Sequence, residues 1–164
     1  MRRLVPLLLA SCAGITPPPH DAIDRAPTVA EESTRPRAAT EPRQERWILL
    51  RGKTEIVFTL LIAFEDDGIQ FVALDDLGGV MADSDGRDSR ALPRSIADRI
   101  GSLLRAKYAP RNPRLVQIGS RTGWADGDAL WSGEELYVAG MRVRQLSPQR
   151  YEIEGALTAT VTVG

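Results

Sequence analysis

Ile56-Val57-Phe58-Thr59-Leu60-Leu61-Ile62-Ala63-Phe64 is the stretch whose reading decides the fold. Its even positions, Ile56, Phe58, Leu60, Ile62 and Phe64, are all large and apolar, while its odd positions are smaller or more mixed. Side chains alternate across a strand, so this parity describes a strand with one face in a core and the other partly covered. Glu65-Asp66-Asp67-Gly68 then reads as a turn, and Ile69 to Leu74 as the returning partner strand. Before it, Trp47 to Leu50 is a short apolar run. After it, Leu77-Gly78-Gly79 breaks the chain, and Val80 to Ala82 gives another short strand ended by Ser84-Asp85-Gly86.

One helix is expected in the middle of the chain. Ile96, Ile100, Leu103, Leu104 and Tyr108 fall on one stripe at helical spacing, with Asp98, Arg99, Arg105 and Lys107 off it. Pro93 or Ser95 starts it, and Pro110 and Pro113 bar its continuation. Such a stripe is read as core packing. Strands return at Leu115 to Ile118, Ala129 to Trp131, Leu136 to Leu146 and Tyr151 to Val163. The last two both place apolar residues at odd numbers, with Tyr137, Ala139, Met141 and Val143 on one side. If they pair as a hairpin, opposite residues share a face, so the loop has three or five residues unless a bulge intervenes. The Thr-Glu face of the last segment is expected to meet water.

The N-terminal part is different. Met1-Arg2-Arg3, the apolar run Leu4 to Ala10, and Ser11-Cys12 have the layout of an export signal, and Leu9-Ala10-Ser11-Cys12 resembles the lipobox of bacterial lipoproteins. Leu4 to Ala10 is too short to span a bilayer, which takes about 20 apolar residues. The resemblance implies a signal peptide over residues 1–11 and a mature chain that begins at a lipidated Cys12, the only cysteine. Two or three acyl chains would tether it to a membrane. Ala13, rather than Asp, after the cysteine implies the outer membrane, facing the periplasm. Residues 12–45 then read as lipidated Cys and a disordered Pro-rich linker, since six of the 11 prolines fall there and no aromatic does. Residues 46–164 are expected to form a single β-rich globular domain.

β-Hairpins, one amphipathic helix and more antiparallel strands behind a lipobox resemble the LolA/LolB-like lipoprotein group. The nearest likeness is to a family of small uncharacterised outer-membrane lipoproteins, some found with aryl-polyene lipid biosynthesis. Leu74-Asp75-Asp76-Leu77-Gly78-Gly79, the Asp85-Gly86 turn and the Leu92-Pro93 helix start carry this resemblance. It implies an α+β fold: an antiparallel, incomplete β-barrel (half-barrel) with one main amphipathic helix packed on its concave side. It also implies an apolar cavity able to hold an acyl chain.

Few residues carry chemistry. Lys and Arg number 21 and Asp and Glu 22, so no basic excess points to nucleic acid. Residues 46–164 hold no histidine and no cysteine, which removes His-based triads, thiol nucleophiles and ordinary zinc sites. His20 sits in the linker. Asp66-Asp67 and Asp75-Asp76 are turn formers. Asp83-Ser84-Asp85-Gly86-Arg87-Asp88 departs from the spacing of a calcium loop, because glycine comes fourth and Arg94 stands at position twelve. No catalytic residue, metal or cofactor is expected. The expected function is a lipid-anchored binding module for an acyl chain or lipidated cargo, its cavity lined by Phe58, Ile62, Phe64, Phe71 and Met141. The alternative is a structural or interaction lipoprotein without a cavity, which would show an exposed apolar patch or open sheet edge.

Overall fold

The computed structural model describes residues 14–66, 68–85 and 91–164. Cys12, the leader before it, and half of the Asp83–Asp88 loop lie outside the described residues. The elements follow in the order β1 (Asp21–Ala22), α1 (Val29–Ser33), β2 (Arg43–Arg51), β3 (Thr54–Glu65), β4 (Gly68–Leu74), β5 (Val80–Asp83), α2 (Arg94–Tyr108), β6 (Arg114–Ile118), β7 (Arg121–Asp126), β8 (Ala129–Ser132), β9 (Glu135–Val138), β10 (Met141–Ser147), β11 (Arg150–Gly155) and β12 (Thr158–Val163).

All twelve strands join one antiparallel sheet in the order β1-β6-β7-β8-β9-β10-β11-β12-β2-β3-β4-β5, which does not close on itself. The expected α+β half-barrel built on one main amphipathic helix is therefore overturned. The protein is mostly an unclosed sheet, and its helices are only 5 and 15 residues long. The sequence reading undercounted strands. It passed over β7, whose Arg-Thr-Gly-Trp-Ala-Asp has no clean alternation. It also fused β9 with β10 and β11 with β12.

The turns explain the fused pairs. Ala139 and Gly140 both have positive φ, 49° and 77°. That is the backbone sense of the two-residue turns that suit a β-hairpin, here without the usual Asn-Gly signature. The turn resets the side-chain parity. Leu136 and Val138 face the core from β9, whereas Met141 and Val143 do so from β10. Tyr137 and Ala139 thus do not share the inward row with Met141. Pairing of β10 with β11 keeps odd numbers together, Met141 with Gly155 and Val143 with Ile153, and a bulge between Gln145 and Ser147 takes up the turn.

The core lies on one face of the sheet. Trp47 and Leu49 from β2, Phe58, Leu60 and Ile62 from β3, Tyr151 and Ile153 from β11, and Ala159 and Val161 from β12 are buried there. Ile100, Leu103 and Leu104 of α2 join the same cluster. Trp47 stacks on Phe58 at 5.7 Å and meets Tyr151 edge-on at 6.5 Å, geometries that suit aromatic quadrupoles. Among the described residues no helix is long and apolar enough to cross a membrane.

Residues 14–42 belong to the stretch read as a disordered spacer, yet they lie along the body. Ile15 N–H donates to the Gly140 carbonyl at 2.8 Å, and Asp21 and Ala22 pair with Gln117 and Val116 of β6. Trp124 Nε1 donates to Thr34 Oγ1 at 3.0 Å, and the Arg35 guanidinium lies 4.2 Å from the centre of the Trp124 ring. Ala39 N–H donates to the Tyr108 carbonyl at 2.8 Å. A chain too poor in apolar residues to fold alone can still be ordered by backbone and aromatic partners that the sheet supplies.

Burial predicts a sharp contrast between two leucines. Leu104→Ala, in the core face of α2, should lower stability by about 2–5 kcal/mol. Leu77→Ala, at a loop residue 97% exposed, should stay within about 0.5 kcal/mol of the parent. Urea unfolding followed by tryptophan fluorescence measures both, and equal midpoints would mean that α2 is not docked.

Candidate functional site

The five residues expected to line a cavity separate in the structure. Phe58 and Met141 are fully buried members of the packed core. Phe64, at the end of β3, borders an open groove of about 730 Å³ near the C-terminus of α2. Ile62 and Phe71 are opposed across β3 and β4. Their side chains are buried in the core, while their strands border a second groove, of about 780 Å³, lined by Leu61, Ala63 and Val72 together with the polar Arg43, Gln44, Gln70 and Asp83. Cys12 lies outside the described residues.

That second groove runs across the outer face of the sheet. Register places Gln44, Leu61, Val72 and Asp83 in one row over β2 to β5. The next row is Arg46, Thr59, Leu74 and Val80, and the next pairs Ile48 with Val57. These side chains point away from the core. Ile48, Leu50, Leu61 and Val80 are between 39% and 59% exposed. An antiparallel sheet packed on one face ordinarily shows water a polar second face.

The other half of the sheet does show one. On β10 and β11, Arg142 pairs with Glu154, and Arg144 with Glu152 at 3.4 Å. Thr158, Thr160 and Thr162 continue the polar surface on β12. Beyond the apolar half the sheet stops, since β5 ends the strand order.

Inside the body one polar cluster stands out, and the sequence reading missed its centre. Glu45 was assigned to the linker. It is in fact 0% exposed, inward-facing on β2. Its carboxylate accepts from Trp47 Nε1 at 2.9 Å, from Tyr151 Oη at 2.7 Å and from Tyr108 Oη. Glu45-x-Trp47-x-Leu49 keeps the period of two, so the parity of β2 extended one step back would have found it. The two buried tyrosines were a second signal, because a buried phenol needs a partner. Lys107 completes the group. Its Nζ lies 3.6 Å from the centre of the Tyr151 ring and donates to Gln145 Oε1 at 3.2 Å.

This cluster ties β2, β11 and the C-terminus of α2 together. Burial pushes the Lys107 ammonium down to about 8, against the pull of Glu45 and with the help of Arg43. Burial, reinforced by the Glu45 charge and hydrogen bond, pushes the Tyr108 and Tyr151 phenols up. Trp47, Tyr108 and Tyr151 all spend their donors on the Glu45 carboxylate, which suits a structural pin.

The acidic pairs on the surface hold their own loops. Asp75 Oδ1 accepts from Leu77 N–H at 2.9 Å and Gly79 N–H at 2.7 Å, while Asp76 pairs with Arg46 at 3.2 Å. His20 is exposed, its Nδ1 3.2 Å from the Pro18 carbonyl. Among the described residues no group of three or more His, Cys, Asp or Glu is placed to hold a metal ion.

The pin makes two predictions. Glu45→Gln turns an amide N–H₂ toward groups that all donate, and should cost about 1–3 kcal/mol in chemical unfolding. The second concerns pH. Between about 8 and 10.5 the unfolded chain holds a proton on Lys107 that the folded chain has lost, so stability rises with pH across that window. Above 10.0 the unfolded tyrosines ionise while Tyr108 and Tyr151 stay protonated, so stability falls. Urea midpoints across this range should therefore pass through a maximum, and Lys107→Met should abolish the rising limb while leaving the fall.

No protein-family model matches this chain, and neither a curated protein nor a solved structure gives a significant match.

Proposed function

We propose that this chain is a membrane-tethered docking module that takes a polypeptide partner on the apolar outer face of β2 to β5. The single observation that carries this reading is the uneven outer face: charge pairs and threonines with the lone exposed Leu146 among the described residues of β10 to β12, against exposed Ile48, Leu50, Leu61 and Val80 over β2 to β5. A contiguous exposed apolar surface on a soluble body marks an interaction site. It adjoins the terminal strand of the sheet, and an unpaired edge offers backbone groups that another chain can pair with. The tether is the acylated Cys12 implied by the lipobox, and the compartment is the periplasmic side of a bacterial outer membrane.

Catalysis draws no support. The interior acid, Glu45, is sealed among its donors, and residues 46–164 carry no histidine or cysteine.

A second reading, handling of an acyl chain as in the LolA/LolB-like group, is favoured by Leu61, Ala63 and Val72 in the lining of the 780 Å³ groove. It gains nothing from Phe58, Ile62, Phe71 and Met141, whose side chains are packed in the core.

Photocrosslinking in cells separates the two. A crosslinking residue at position 57 or 61 should give a discrete protein adduct, absent when the residue stands at Arg142 or Thr160. Val72→Glu, on the same face, should remove that adduct without changing the circular dichroism. Lipid adducts at position 61 would favour the acyl-chain reading, and equal adducts at all positions would overturn the docking face.

A further inference from the structure

β3 overhangs its neighbour. Thr59 pairs with Leu74, and β4 ends there. β3 begins earlier, at Thr54, and from Thr54 to Phe58 it pairs with β2 alone among the described residues. The chain does not continue beside it, because the loop after β4 folds back on itself. Asp75 N–H donates to the Gly79 carbonyl at 2.9 Å, and Gly78 N–H to the Asp75 carbonyl at 3.0 Å. Asp75 Oδ1 accepts from Leu77 and Gly79 N–H. A lane one strand wide is thus left open beside the start of β3, closed at one end by Leu74 and this loop.

The hairpins show which backbone groups face the lane. Gly52 and Lys53 join β2 to β3, with Gly52 at φ 63°, and Arg51 and Thr54 close the turn. The pair that closes a two-residue hairpin exchanges both of its backbone hydrogen bonds, and such pairs alternate along the ladder. Thr54, Ile56 and Phe58 therefore spend their N–H and C=O on β2, while Glu55 and Val57 aim theirs into the lane. The β3–β4 hairpin, closed by Glu65 and Gly68, gives the same parity, since it sends the odd residues of β3 toward β4. Among the described residues no loop or strand bonds the main chain of Glu55 or Val57.

Both sides of the lane are apolar. Val57 points outward beside Ile48, at the margin of the proposed docking face, and Ile56 points inward and packs on the core. Both are only partly buried. A segment entering the lane would find an apolar neighbour on each side. Leu77, 97% exposed, stands on the hydrogen-bonded loop at the closed end. Arg51, Lys53 and Glu55 are exposed at the open end, and at the closed end Asp76 meets Arg46 while Asp75 holds its loop. With both signs present at each end, apolar side chains rather than net charge would select the segment.

We infer that Glu55 and Val57 pair through their main chain with a short extended segment of another polypeptide, apolar at successive positions, which adds to β3 in line with β4. Backbone bonds supply the affinity of such strand addition, and the flanking side chains its selectivity. The inference rests on the docking-module reading and names how the partner is held. A second copy of this chain does not fit. Antiparallel pairing of its Thr54–Phe58 with the same residues would bring its Lys53 opposite Thr59, where Leu74 already pairs.

A crosslinking residue at position 61 of the full chain in cells reads the docked partner. Val57→Pro removes an N–H that the fold does not use, and an extended residue before it, here Ile56, suits a proline. This change should lower the protein adduct by about tenfold, whereas Val57→Ile should keep it, with the circular dichroism of both unaltered. A second measurement needs no variant. In the free chain the Val57 amide should exchange about a hundred-fold faster than the Phe58 amide, which is bonded to β2. Exchange at Val57 as slow as at Phe58, or an adduct that survives Val57→Pro, would overturn this inference and leave the docking face standing. An adduct with the mass of two copies of the chain would overturn the assignment of the partner. No protein adduct at position 61 in the parent would remove the docking face itself, and strand addition with it.

Discussion

A single β-sheet has two faces, and this chain has little beyond the sheet with which to cover them. Among the described residues its helices amount to one short turn and one element of fifteen residues. Since side chains alternate, every strand commits half of its residues to each face. The chain fills one face with Trp47, Phe58, Tyr151 and the α2 leucines, and the other must be left to water or to something outside the molecule. Over β10 to β12 charge pairs and threonines meet that condition. Over β2 to β5 the Arg46–Asp76 pair and Thr59 cover only part of the face, because β3 and β4 carry Val57, Leu61, Val72 and Leu74 outward as well. The exposed apolar half follows from the architecture, and the proposed docking role rests on it.

The same geometry explains why a carboxylate is buried. An open sheet must be held in its curvature by contacts between strands distant in sequence. Glu45, Tyr151 and Tyr108 are separated by up to 106 residues, yet they meet at one point. Removing a carboxylate from water costs several kcal/mol. Three donors and the adjacent Lys107 offset that cost only when β2, β11 and α2 sit in correct register. Such a cluster selects one arrangement rather than adding much net stability. The packing of Trp47 on Phe58 supplies the hydrophobic share beside it.

By itself the sequence determined local parity and its consequences. The alternation of β3, β11 and β12, the apolar stripe of α2, the turn roles of Asp75 and Asp76 and the lack of His and Cys in residues 46–164 could all be read from neighbours a few positions apart. It could not determine how much of the chain would become sheet. Strand β7 lacks alternation, and Ala139-Gly140 turns without the usual residues. Glu45 looks like the end of a polar linker until β11 and α2 bring it donors. Whether Leu61 or Phe58 ends in water depends on what else in the chain reaches each face, and pairing across tens of residues decides that. Periodicity assigns a side chain to a face. Only the assembled sheet decides which face is covered.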